Sequence, residues 1–264
     1  MCAILYILFI YYLLCECFSN NSIHVSSYSL SPPQEFQHVL YITEDCYNPE
    51  GMGSCQWAAY AYIGSWMSVY KRDHFLKPGV VNHEVGHNLR FAHSGGIDGQ
   101  TYTDHTCLMG NPLWGDNMGK MCFNAAKNYQ LAKAYDAWYS KGPGTIMDWD
   151  SGEDGGTSFT TTMVGVAEFN KIKDNNPIVI KLETGDKTDY YIEFNRAFGP
   201  TSQERQARDM VTLYSTGNNG LAYSTSSLLK GGILDEGDTY TFSKWRGTKL
   251  DLTVTVLEIN TNAS

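Results

Sequence analysis

Residues 83–87 read His-Glu-Val-Gly-His, and a further histidine stands at position 93. No other feature of the chain restricts its fold as tightly. On a helix, positions four apart share a face, so His83 and His87 aim ring nitrogens at one point only if this segment is helical. Val81, Val85 and Leu89 recur at helical spacing and predict an apolar stripe on a helix at about 80–90, buried on one side. Pro78-Gly79 precedes it, and proline is well tolerated in a first helical turn. The histidines then fall on the adjoining face and point into a cleft.

A catalytic zinc ion takes three protein ligands and keeps a fourth position open for water. His83, His87 and His93 supply three imidazoles, and Glu84 stands beside them, able to reach that water without ligating the metal. The pattern predicts one catalytic Zn2+ and the chemistry of a metallopeptidase. A bare His-Glu-x-x-His arises by chance in roughly one chain in a hundred of this length, and a further His at a fixed offset lowers that about fortyfold. A solvated helix face that happens to carry histidines is therefore the weaker reading. A downstream acid such as Glu153 or Glu168 in place of His93 is an alternative, but it passes over a histidine already at a suitable offset. His24, His38, His74 and His105 lack ligand spacing and read as surface or packing residues.

Residues 83–93 resemble the extended zinc motif of the metzincin clan, His-Glu-x-x-His-x-x-Gly-x-x-His. Asn88, the segments 102–110 (Tyr-Thr-Asp-His-Thr-Cys-Leu-Met-Gly) and 122–131 (Cys-Phe-Asn-Ala-Ala-Lys-Asn-Tyr-Gln-Leu), and the upstream stretch 53–64 are similar to one family within it, the gametolysins. These are secreted zinc peptidases of algae and other microorganisms. The likeness covers about residues 46–140. It implies an α+β, metzincin-like catalytic domain, Zn2+ as cofactor, and protein or glycoprotein substrates of an extracellular matrix or cell wall. It also implies a Met-turn, a hydrophobic floor under the ligands. Met109 matches that methionine, and Met147 within 145–149 (Thr-Ile-Met-Asp-Trp) is a rival; ordinary core packing is the plain reading of either. The chain departs from the clan where its glycine, midway between the second and third His, is Arg90. A non-glycine residue makes that left-handed turn at a cost of about 1–2 kcal/mol. The departure also leaves open a catalytically inactive, metzincin-like binding or adhesion module, which the intact Glu84 and three histidines oppose.

At 264 residues the chain is long enough for one large or two modest domains. A net charge of -9 argues against nucleic acid as a partner, since phosphate binding needs basic patches. Residues 2–14 form an uncharged apolar run that suits a signal-peptide core and falls short of a membrane span, although no basic residue precedes it. Residues 1–19 are accordingly expected to be a signal peptide and the protein to be secreted. Cys46, Cys55, Cys107 and Cys122 would remain; four cysteines allow three pairings, and closeness in sequence favours Cys46–Cys55 and Cys107–Cys122. Two glycosylation sequons begin at Asn20 and Asn262.

The expected organisation is a zinc peptidase domain over 20–147, a glycine- and acid-rich linker over 148–160, and an all-β accessory domain over 161–264. Within the first, 36–43 reads as a strand, 56–70 as an amphipathic helix, and 123–140 as rich in helix formers. Asp148, Asp150, Glu153 and Asp154 offer oxygen ligands of the kind Ca2+ takes, but a solvated loop is the plainer reading because their spacing fits no defined calcium loop. Beyond the linker the period changes to two, as in 178–182, 190–194 and 250–256, which predicts a small antiparallel β-sandwich-like domain. It carries no catalytic constellation. Trp114 and Tyr129 are candidates for a substrate pocket wall, or for the core.

Overall fold

The computed structural model describes residues 37–43, 57–112, 121–135, 146–151, 158–171, 176–217 and 224–262. The apolar run at 2–14, Cys46, Cys55, Trp114, Glu153 and Asp154 lie outside them. The architecture is α+β, dominated by sheet. Two compact units form, and the chain passes from one to the other between Arg90 and Phe91.

In the first unit, β1 (Val39–Thr43) pairs in parallel with β3 (Met67–Lys71), and β2 (Ala59–Ala61) pairs antiparallel with β3, giving the order β1-β3-β2. The strand expected at 36–43 is present. The helix expected at 56–70 is not: that segment forms β2 and β3. Its aromatic and β-branched residues favour a pleated surface over a helix. Tyr60 on β2 and Tyr62 just past it have ring centroids 6.2 Å apart, and Trp57 stacks edge-on against Tyr60 at 5.1 Å. Gly64 turns the chain between the strands at a φ of 71°.

Helix α1 (Arg72–Phe75) leads into α2 (Pro78–Asn88), which has Pro78 at its start. Tyr70, fully buried on β3, donates its hydroxyl to the Val81 carbonyl at 3.3 Å. Val81, Val85 and Leu89 are only half-buried. The deeper face of α2 carries Gly79, Val80, His83, Glu84, Gly86, His87 and Asn88. The apolar stripe is thus the flank of the helix, and its polar face is the one taken inside.

The second unit is built on a six-stranded mixed sheet of order β4-β9-β8-β7-β6-β5. Its strands are β4 (Ser94–Gly95), β5 (Ile146–Trp149), β6 (Val179–Leu182), β7 (Asp189–Asn195), β8 (Met210–Thr216) and β9 (Ser226–Leu234). The edge pairs β4/β9 and β5/β6 are parallel and the rest antiparallel. The sheet therefore runs across the boundary expected at 148–160, and takes strands from both sides of it. A β-hairpin of β10 (Thr239–Phe242) and β11 (Leu252–Thr255) covers one sheet face, where Trp149, Ile180, Leu182, Ile192, Leu213 and Leu234 meet Phe242, Trp245 and Val256. Helix α3 (Ala125–Tyr135) packs against β6, β7 and β8. The expected β-sandwich is thus one sheet between a hairpin and a helix. No helix among the described residues is long and apolar enough to cross a membrane.

Candidate metal centre

His83 and His87 lie one turn apart on α2, both buried, with ring centroids 4.9 Å apart and planes nearly perpendicular at 88°. The helix ends just beyond them. The Leu89 amide closes back on the Val85 carbonyl at 2.9 Å, and the Arg90 amide donates to the His87 carbonyl at 2.9 Å. Arg90 then takes a φ of 72°, a left-handed conformation just past the helix end. The chain returns so that ligand-competent atoms of His83, His87 and His93 all lie within 4.8 Å of one another. Among the described residues this is the one group of its kind.

Three imidazoles at this spacing fit a borderline-soft divalent ion that takes nitrogen ligands. Glu84 follows the first of them. It is buried, its carboxylate accepts the Ala61 amide, and desolvation pushes its carboxyl up to about 7. A carboxyl in that range both takes and returns protons near neutrality.

Several polar residues hold these groups in place. Asn88, buried at the end of α2, donates its side-chain amide to the Met67 carbonyl at 2.9 Å and ties the helix to β3. The Gly64 amide donates to the His87 carbonyl at 2.8 Å. Asp104 is fully buried; it accepts the Ser94 hydroxyl at 2.6 Å, the Thr106 amide at 2.9 Å and the Asn124 side-chain amide at 3.2 Å. Ser94 follows His93 directly, so this network fixes the backbone that carries the third histidine. The Tyr102 hydroxyl stands 2.8 Å from His93 Nε2. Asn88, Asp104 and Asn124 lie within the family-like segments, where no ligand or catalytic spacing marks them.

Met109 is fully buried, and its carbonyl accepts the Ser94 amide at 2.8 Å, beside His93. Met147 lies on β5, packed against the hairpin-side core of the sheet. Glu168 is ion-paired to Arg196 at 3.0 Å and stands outside the histidine group. Tyr129 is core: its ring meets Tyr191 at 5.3 Å, with the ammonium groups of Lys133 and Lys181 over it. Asp148 pairs with Lys133 at 3.0 Å and Asp150 with Arg246, so the two described members of the four candidate calcium ligands are engaged by cations of the chain.

The expected Cys107–Cys122 bridge does not form. Cys107 is a free, buried thiol, and its sulfur accepts the Met109 and Asn124 amides at 3.4 and 3.3 Å. Cys122 is disulfide-bonded elsewhere. Nearness in sequence misled because the turn at 107–110 and the start of α3 enclose the Cys107 sulfur in backbone donors.

A helix-borne histidine pair, a third histidine returned by a left-handed turn, and a buried glutamate beside them form a group that could hold a metal ion next to an acid–base carboxyl. The family model described as Gametolysin peptidase M11 matches residues 23–189, more than half of the chain, and the protein belongs to that family of peptidases. No curated protein and no solved structure gives a significant match.

Proposed function

We propose that the protein is a secreted, zinc-dependent endopeptidase that hydrolyses peptide bonds of extracellular proteins, such as those of a matrix or cell wall. The observation that carries the reading is the convergence of His83, His87 and His93 within 4.8 Å, next to the buried Glu84. His83, His87 and His93 would hold the zinc ion, which would supply a water of lowered pKa and polarise the scissile carbonyl. Glu84 accepts the proton of the attacking water and returns it to the departing amine. Burial suits it to this exchange, because a carboxyl at about 7 gives up its proton far more readily than the amine that receives it. Asn88 and Asp104 position the helix end and the His93 backbone. Met109, buried beside His93, is the Met-turn residue in this reading. Secretion rests on the apolar leader and on family membership.

Caseinolysis by purified protein tests the reading. Activity should vanish with a chelator, return with zinc, and fall at least about 10²-fold in Glu84→Gln while the metal is retained. Full activity in the chelated protein, or near-normal turnover in Glu84→Gln, contradicts it.

A further inference from the structure

The loop after His93 brings Tyr102 back onto the third histidine. Gly95 bridges to Thr101, the Gly99 amide donates to the Gly96 carbonyl at 2.9 Å, and the Thr103 hydroxyl donates to Asp98 Oδ1 at 2.5 Å. A side chain at Gly96 would strike the Thr103 carbonyl at 2.4 Å, so the loop closes this tightly only with glycine there. Tyr102 itself takes a φ of 67°, a conformation unfavourable for a bulky residue. Burial does not explain the strain, because Tyr102 is 49% exposed. What the conformation achieves is contact with His93: ring centroids 4.4 Å apart, and the hydroxyl 2.8 Å from Nε2.

We infer that Tyr102 is a positioning residue whose hydroxyl competes with a metal ion for His93 Nε2. The inference rests on the reading of His83, His87 and His93 as ligands. In the tautomer with its proton on Nδ1, Nε2 has one lone pair, which serves either the Tyr102 O–H or a metal ion. The ring contact fixes the plane of the imidazole, while the hydroxyl competes for its ligand atom. Tyr102 thereby has two separable effects. Its ring presets His93 for binding, and its hydroxyl must be displaced before binding is complete.

Two variants separate these effects. In Tyr102→Phe the ring stays and the competitor goes, so zinc affinity, measured against a chromophoric chelator, should rise about two- to tenfold, the range that one ordinary hydrogen bond represents. In Tyr102→Ala the ring is lost too, and affinity should fall below that of Tyr102→Phe. Equal or weaker zinc binding by Tyr102→Phe overturns the inference; a weaker value would make Tyr102 an outer support of a His93 bound through Nδ1. The metal-free protein gives an independent readout. The His93 Nε2 nitrogen resonance should move in Tyr102→Phe while those of His83 and His87 hold, and an unmoved His93 resonance also overturns the inference. A protein that binds no zinc in any form, yet shows the His93 shift, overturns the metal reading and the competition built on it, and leaves the contact alone standing.

Discussion

Arg90 makes the turn between His87 and His93 at a φ of 72°, where an L-residue is strained by about 1–2 kcal/mol. Glycine relieves that strain but adds freedom to the unfolded chain, which takes back part of the gain. Arg90→Gly should therefore stabilise the protein by ~0.5–1 kcal/mol in urea denaturation, with zinc affinity held or improved. A destabilised variant would mean that the arginine side chain makes contacts worth more than the strain. The candidate ligands were legible in the sequence because ligand chemistry and helical period both constrain spacing. Asn88 and Asp104 were not, because a residue that positions others through hydrogen bonds has no period. Its role exists only once Met67 or Ser94 has been brought to it by the fold.

Among the elements, β7 shows what alternation can and cannot tell. Tyr190 and Ile192 face the hairpin-side core, as the period-two pattern predicts. The intervening Asp189, Tyr191, Glu193 and Asn195 are buried as well, where a sandwich strand would have turned them to water. The pattern gave the two faces correctly and could not show that α3 packs against these strands. Glu193 there accepts the Ala125 amide and is pushed up to about 8 by desolvation.

The folded carboxyl thus holds its proton up to about 8, whereas an unfolded one releases it near 4.5. The folded state binds more protons across that window. The contribution of Glu193 to stability is complete below the lower value and lost as pH rises through the upper one. Glu193→Gln keeps the shape and an acceptor for Tyr214 but cannot titrate, so urea midpoints measured from pH 5 to 8.5 should decline less steeply than in the wild type. An unchanged slope would remove Glu193 from the account. The segment 56–70 was misread for a related reason: its aromatic residues fit a helical period and a pleated face alike, and Gly64 decided for strands. For the thiols, mass mapping of the non-reduced protein should find Cys107 free and Cys122 bonded. A Cys107–Cys122 peptide would contradict the packing around the Cys107 sulfur.

At the scale of the whole molecule, motif order pointed to a peptidase, and the family match over residues 23–189 agrees; the α+β architecture is that of the structure. The domain boundary was harder to read. Glycine and acidic residues at 148–156 have the composition of a linker, yet β5 ends inside that stretch and pairs with β6, so part of it belongs to a sheet. Strand partners distant in sequence, such as Ser94 with Ser226, leave no local trace of their pairing. The central claim is that three histidines converge on one metal ion. Metal analysis of the purified protein tests it most directly, with His83→Ala, His87→Ala and His93→Ala measured alongside and folding checked by circular dichroism. The account predicts about one zinc per chain in the wild type and loss of tightly held zinc in each folded variant, since two remaining ligands bind weakly. Full occupancy in His93→Ala would contradict it, because the metal would then be held without the histidine that the left-handed turn at Arg90 returns to the site.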